Sequence, residues 1–410
     1  MSRKILVNIV LVLMTAITAT GQNMQSLYFL DNSLYGYRIN PAIPSEKNFA
    51  GQIISNVDLS ANSSLGLSNF VFKDSSGKMI SGFNRALPTE TFLEGISPSN
   101  NLGVVENLTI LSCGFWTEKN FFHNIEFNVR GYQDASLPKD FFALLKEGNR
   151  EEPYNLAGFR ISNQSYLEFA YGMSKSLGDK ISVGGRVKLL VGFLNLNAET
   201  NNTNLVLKAN GSNPMKITDR QSAQTASRNI EVFKPSGFGA VADLGITYKP
   251  LEDLSLNLAV LDLGAVLWKN NGAGRSFSTE MLPVTFNAGA RYRMPFYRRL
   301  SAGMLGSFRT GKGTAYSEFR TGITVTPIDW FSINGNYGFS SYGKTFGTAL
   351  TLNLAFFHFH IGFEGYSGRV VKFISNGKPH ILPLGKCRYD INLGLTIAFG
   401  ERHSDLLPHE

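Results

Sequence analysis

Apolar residues recur at every second position through most of this chain, a period that strands satisfy and helices do not. Ile181, Val183, Val187, Leu189, Val191 and Phe193 share one parity, while Ser182, Gly184, Arg186, Lys188 and Gly192 hold the other. The pattern returns in Leu254, Leu256, Leu258 and Val260, and in Phe357, Phe359, Ile361 and Phe363, opposed by His358, His360, Gly362 and Glu364. It is cleanest near the end. There Tyr389, Ile391, Leu393, Leu395, Ile397 and Phe399 alternate with Arg388, Asp390, Asn392, Gly394, Thr396 and Ala398.

A soluble β-sandwich and a transmembrane β-barrel both alternate in this way, so the connections have to separate them. Fourteen candidate spanning strands fall near 49–60, 108–117, 121–132, 159–175, 180–196, 236–249, 253–267, 283–294, 299–310, 316–327, 330–340, 346–355, 356–367 and 387–399. Connections after strands one, three, five, seven and thirteen are long, and those after nine and eleven intermediate. Those after even strands are tight, as in Thr117-Glu118-Lys119-Asn120 and Pro327-Ile328-Asp329. Short turns on one side and long loops on the other are what an outer-membrane barrel requires. A sheet in lipid must also pair its first strand with its last, because an open edge leaves backbone N–H and C=O groups unsatisfied. The expected fold is therefore all-β: a closed antiparallel transmembrane barrel of about 14 strands over residues 49–399, monomeric.

Composition alone conceals this. The 410 residues are 43% apolar and 17% charged, and the mean hydropathy is −0.06, as in many soluble proteins. Low-hydrophobicity disorder and a disulfide scaffold are excluded, and the composition speaks against a polytopic helical membrane protein. Cys113 and Cys387 fall on strands two and fourteen, which strand one separates, so no disulfide is expected.

The N-terminus reads as a secretory signal over residues 1–21: Arg3 and Lys4, an apolar stretch from Ile5 to about Ile17, then Ala19-Thr20-Gly21 before Gln22. Removing those two bases leaves 37 against 31 acids, a net charge of +6. No basic cluster accompanies the excess, so nucleic acid is not an expected partner. Residues 22–48 form an N-terminal plug or periplasmic segment, and 400–410 a polar periplasmic tail. The aromatic-terminated last strand resembles the signal read by the barrel assembly machinery, which becomes an expected partner beside outer-membrane lipid and lipopolysaccharide.

If the apolar parity faces lipid, the other lines the interior. It carries the bases Arg130, Arg186, Lys188, Arg291, Arg293, Arg309, Arg320 and Arg388, and the acids Glu126, Glu168, Asp243, Glu318, Glu364 and Asp390. A charge facing lipid at midplane costs roughly 2–4 kcal/mol for Arg or Lys, so their segregation supports the assignment. Asp262 is the exception, falling on the apolar parity. Two readings follow: a polar, slightly anion-favouring lumen, or a network of paired charges that fills a narrow barrel.

Among the loops, Ala61–Asn107 is long and rich in Ser, Asn and Gly, suited to fold over the mouth or inward as a constriction. Pro138 to Glu147 is a short helical pattern whose Phe141, Phe142, Leu144 and Leu145 must pack on something, the barrel wall or an apolar ligand. The connection Asn197–Pro235 is polar. His358 and His360 share a face but lack a third ligand, so no metal or other cofactor is expected. Serines abound without a spacing that selects a nucleophile, and no catalytic residue is assigned.

Before strand one stands Tyr37-Arg38-Ile39-Asn40-Pro41-Ala42. Its Asn40-Pro41-Ala42 resembles the N-terminal segment of the long-chain fatty-acid channel family. With Val260-Leu261-Asp262-Leu263-Gly264 leading to Trp268, the layout is also similar to an uncharacterised Bacteroidota family of outer-membrane barrels, a domain of unknown function. The resemblance to the fatty-acid channels implies 14 strands around a lumen plugged by residues 22–48. The function expected is passive passage of a small or amphipathic solute across the cell outer membrane. A non-conducting interaction or anchoring protein is the alternative class, and a barrel lipid hydrolase or acyltransferase the third.

Overall fold

The computed structural model describes residues 25–30, 34–148, 150–200, 204–207, 216–217, 223–229, 235–269, 277–310, 315–341, 343–367, 370–375, 378–383 and 387–401. The expected signal segment 1–21 and most of the tail 400–410 lie outside them. Fourteen strands form one ring: β1 Lys47–Ser63, β2 Ser99–Trp116, β3 Phe121–Pro138, β4 Arg160–Leu177, β5 Ile181–Thr200, β6 Gly237–Leu251, β7 Leu254–Lys269, β8 Thr285–Arg293, β9 Leu300–Arg309, β10 Tyr316–Ile328, β11 Phe331–Ser340, β12 Gly343–Leu354, β13 Phe357–Ser367 and β14 Cys387–Glu401. Each pairs antiparallel with its neighbours in sequence. β14 returns to β1, with Phe49 opposite Phe399 and Val57 opposite Leu393. The fold is the closed barrel that the alternation predicts.

Parity decides which way each side chain points. Leu189, Leu258, Ile323 and Phe399 are exposed on the outer wall at 55%, 59%, 57% and 50%. Their chain neighbours Lys188, Asn257, Thr324 and Ala398 are buried inside. The strand ends joined by the tight connections 117–120, 178–180, 252–253, 294–299, 329–330 and 355–356 lie at one end of the barrel, and those joined by 64–98, 139–159, 201–236, 270–284 and 368–386 at the other. The connection at 341–342 is tight rather than intermediate, because β12 begins at Gly343 instead of 346. β2 likewise begins at Ser99 rather than 108. Beyond the lipid both faces of a strand can be polar, so the apolar period of Ser99–Asn107 fades while its ladder with β1 and β3 continues.

The wall is uneven. β1 to β7 run 15 to 20 residues, β8 to β13 only 9 to 13. At about 3.4 Å per residue the first half stands taller at the long-loop end. An apolar cap seals part of this rim. Leu65, Leu87, Phe92 and Ile96 from the first loop pack on Leu137 and on Phe142 of the helix Lys139–Glu147, with Phe70, Phe83 and Phe141 around them. Lys146 locks helix to loop, its Nζ donating to the carbonyls of Gly82 at 2.7 Å and Asn84 at 3.0 Å. The first long connection thus folds over the tops of β2 and β3, and the apolar helix face packs on it.

Because Leu189 faces outward in mid-strand, Leu189→Arg should destabilise the barrel in lipid vesicles by about 2–4 kcal/mol. Denaturant unfolding of the refolded variant measures this, and an unchanged midpoint would reverse the assignment of faces.

Candidate functional site: the occupied lumen

Residues 25–30 and 34–46 lie inside the ring, where their polar groups are met by strands on every side. Asn336 of β11 donates to Ser26 Oγ at 2.8 Å, and Thr324 of β10 to the Phe29 carbonyl at 2.5 Å. Asn257 of β7 donates to the Tyr28 hydroxyl at 2.9 Å, and Asn287 of β8 to the Ile39 carbonyl at 3.0 Å. The Tyr35 hydroxyl bonds to Thr396 of β14 and Gln52 of β1. Leu27, Tyr28, Phe29 and Leu30 form a small apolar cluster with Ile39 and, on the wall, Leu305 and Ala349. Burial pushes the Tyr28 hydroxyl up to about 12, so it remains protonated.

Asn40-Pro41-Ala42 has a seat made for it. Gly184 of β5 and Gly245 of β6 are directly paired across the ladder. A Cβ on Gly184 would strike the Pro41 carbonyl, and one on Gly245 the Asn40 side chain. Asn40 turns the chain by accepting from the Ala42 N–H at 2.9 Å and donates to the Ile246 carbonyl at 3.1 Å.

Next to this seat runs a belt of buried charge. Arg38 of the segment pairs with Glu126 at 2.7 Å and approaches Asp58 at 3.8 Å. Glu126 also pairs with Arg186 at 2.5 Å, and Tyr37 donates to it at 2.8 Å. Lys188 bridges Asp243 and Asp262, both at 2.7 Å. Arg130 closes the chain with Asp262 at 2.8 Å and Glu168 at 2.5 Å. Across the lumen a second group centres on Arg320, which pairs with Glu318 at 2.5 Å and Glu364 at 2.9 Å, and Asp390 stands opposite Glu364 across the β13–β14 ladder. Glu364 also accepts the Ser26 N–H.

Asp262 corrects the parity reading. Ala242 pairs with Leu263 but Leu244 with Val260, so Leu261 and Asp262 together oppose Asp243. This bulge sets Asp262 at φ 61°, a left-handed conformation that Asp tolerates, and turns its carboxylate from the lipid side into the lumen. Its N–H donates to Asp243 Oδ1 at 2.8 Å.

The structure brings together Arg130, Arg186, Lys188, Glu126, Glu168 and Asp243 in the belt, and Arg320, Glu318, Glu364 and Asp390 in the second group. Arg309 stands apart on the long-loop side, over the Tyr132 ring at 4.9 Å. Arg291 and Arg293 lie at the short-turn mouth. The backbone of Arg388 pairs with Asn62 and Tyr366, and its side chain lies outside the described residues. The anticipated basic excess is not found at the level of the belt. Among the described residues buried or nearly buried there, the bases Arg38, Arg130, Arg186, Lys188 and Arg320 face the acids Asp58, Glu126, Glu168, Asp243, Asp262, Glu318, Glu364 and Asp390. Sequence reasoning missed Tyr37, Arg38 and Asp58. The available signal was Asp58 inside a spanning strand and an Arg beside the Asn-Pro-Ala motif.

His358 bonds to Asn353 at 2.7 Å and the His360 ring packs on Tyr35 at 4.5 Å. Among the described residues no three His, Cys, Asp or Glu side chains are placed to hold a metal. Two cavities flank the buried segment. One of about 230 Å³ opens at the short-turn mouth beside Ala42–Glu46, and one of about 50 Å³ lies on the long-loop side beside Gln25, Ile39, Arg130 and Arg309.

Several solved structures are similar to this chain. A deltaS2S3 mutant of the TodX monoaromatic hydrocarbon channel matches at 10% identity over 94% of this chain and 98% of that one, with a TM-score of 0.50. A FadL homologue of Pseudomonas aeruginosa matches at 11% over 93% and 99%, with 0.49. The toluene transporter TodX of P. putida matches at 10% over 91% and 95%, with 0.45. At such identities the first of these shows a common fold and nothing finer. No curated protein matches the chain. The model of a family of unknown function, DUF5723, matches residues 41–277 and 273–364, from the Pro41 seat into β13, and over that span the chain belongs to this family.

Proposed function

We propose that the protein is an outer-membrane channel for a small or amphipathic solute, held closed by its own N-terminal segment. The observation that carries this reading is the segment itself. It fills the ring yet is joined to the wall by hydrogen bonds and the Arg38–Glu126 pair rather than by strand pairing. Such contacts can be exchanged for water without opening the barrel's backbone ladder. The apolar outer wall and the sorting of long and short connections support the outer membrane as its place, with lipid and lipopolysaccharide around it and the barrel assembly machinery as its route in.

The belt argues for a solute with polar groups. A purely apolar molecule passing there would strip water from charged side chains and return nothing. Monoaromatic hydrocarbon and toluene are named for TodX, whereas the charged interior here favours an amphipathic passenger. A second reading, a non-conducting interaction or anchoring protein, draws support from the pairing of those charges and the filled lumen.

In planar bilayers the intact refolded protein should be silent, and deletion of residues 25–45 should give stable single-channel steps. Heat-modifiable migration in gels establishes that the deletion variant has closed its barrel. A folded but silent deletion variant would favour the non-conducting reading.

Arg38→Ala tests the latch. Breaking a buried ion pair costs about 3–5 kcal/mol when the partner stays buried. Amide exchange across residues 34–43 should therefore accelerate strongly while mid-strand amides of β10 stay protected. Unchanged protection of the segment would show that Arg38 does not hold it.

A further inference from the structure

The cavity at the short-turn mouth belongs to neither the belt nor the cap. Its wall carries Lys249 at the end of β6 and Arg291 and Arg293 at the end of β8, all half-buried. All three cationic side chains border the same cavity. Among the described residues neither Lys249 nor Arg293 makes an ion pair. The acids bordering the cavity sit mostly at its edge: Glu46, Asp179 and Glu252 are exposed, and Asp253 is half-buried on the turn before β7. Exposed carboxylates are screened by water and salt, whereas like charges partly withdrawn from water repel more strongly. The inner layer is therefore a basic wall whose repulsion an entering anion relieves.

The opposite wall is the buried segment. Ala42, Ile43 and Ser45 border the cavity, and Trp116 closes its side while donating to the Ser45 carbonyl at 2.8 Å. The cavity of about 230 Å³ has room for several waters, enough for a small organic acid.

We propose that this mouth is a binding site for a small oxyanion, a carboxylate or a phosphate, seated between Lys249, Arg291 and Arg293 on the wall and the Ala42–Ser45 stretch of the segment. A guanidinium offers a planar fork of donors to such a group, and the lysine adds a point charge. The site is read from the closed barrel and stands whether or not the barrel conducts.

The test is isothermal titration of the full-length refolded protein with inorganic phosphate and, separately, succinate, at low ionic strength with chloride held constant. Trp116 lines the cavity, so tryptophan emission gives a second readout. Saturable binding of at least one probe at one site is expected, weakened tenfold or more by Arg293→Gln and by Lys249→Gln. Lys78→Gln, on the exposed hairpin at the far end, should bind as the unaltered protein does. The pattern across probes separates the sources: phosphate alone marks a phosphate site, succinate alone a carboxylate site, and mutual competition a general oxyanion site. Absence of saturable binding by either probe, or binding unaffected in the Lys249→Gln/Arg293→Gln double variant, overturns the proposal. Because neither Arg293 nor Lys249 makes an ion pair among the described residues, both variants should keep heat-modifiable migration. If either does not, displacement of phosphate from the unaltered protein by succinate, with a matching change in Trp116 emission, decides instead. A folded deletion variant of residues 25–45 that stays silent in bilayers, together with anion binding by the full-length protein, would leave this site standing while the channel reading fell.

Discussion

Every other feature here depends on the β14–β1 ladder. Within lipid there is no water to satisfy a free N–H or C=O, and each one left bare costs several kcal/mol, so the sheet has to close. Closure fixes parity for the whole chain: once β1 is set between β14 and β2, each residue faces either lipid or lumen. The apolar residues of alternate positions then go outward with no core to fill, and the polar ones are forced together inside. The crowded, charged lumen follows from the same rule that makes the outer wall apolar.

What fills that lumen follows in turn. A ring of this size lined with Asn, Thr, Ser and charged residues holds either water or chain, and here the chain supplies its own N-terminal segment. The segment is bound in the manner of a ligand, through many dispersed contacts and one ion pair. The direct pairing of Gly184 with Gly245 makes room for the Pro41 backbone. Arg38 joins a belt already rich in acid. Buried ion pairs often add little net stability, since desolvation consumes the Coulombic gain. Their effect is one of position: an Arg38 drawn back from Glu126 leaves a carboxylate with Arg186 alone, so the docked geometry is favoured over near misses.

The strands and the ends of the barrel were legible because period and loop length are local properties of sequence. All fourteen expected strands are present, and the outward set from Tyr389 to Phe399 lies as alternation requires. The extension of β2 to Ser99 was not legible, since outside the lipid no apolar period marks a strand. Asp262 was misplaced because one bulge shifts parity by one, and a bulge shows only in the register between two strands. Arg38 escaped notice for another reason: it lies in a segment with no periodic signal, and its role appears only when Glu126, distant by 88 residues, is brought beside it. The charged residues were found one by one, whereas their partners needed the ring.

The placement of charge along the axis joins these parts. The belt and the Arg320 group hold more acid than base, and the short-turn mouth holds Lys249, Arg291 and Arg293 at its inner layer. With the segment docked, Arg38 contributes one of the five bases at the level of the belt. With it withdrawn, the described residues of the wall would keep four bases there, Arg130, Arg186, Lys188 and Arg320, against the same eight acids. The proposed opening would thus enlarge the acidic excess in the middle of the lumen just above a basic mouth. At the proposed mouth site an anion arriving from the short-turn side would meet attraction first and repulsion beyond it. A solute carrying both a cationic and an apolar part meets the opposite order. The charges that meet the docked segment are, by the same arithmetic, the ones that would face the contents of an open lumen.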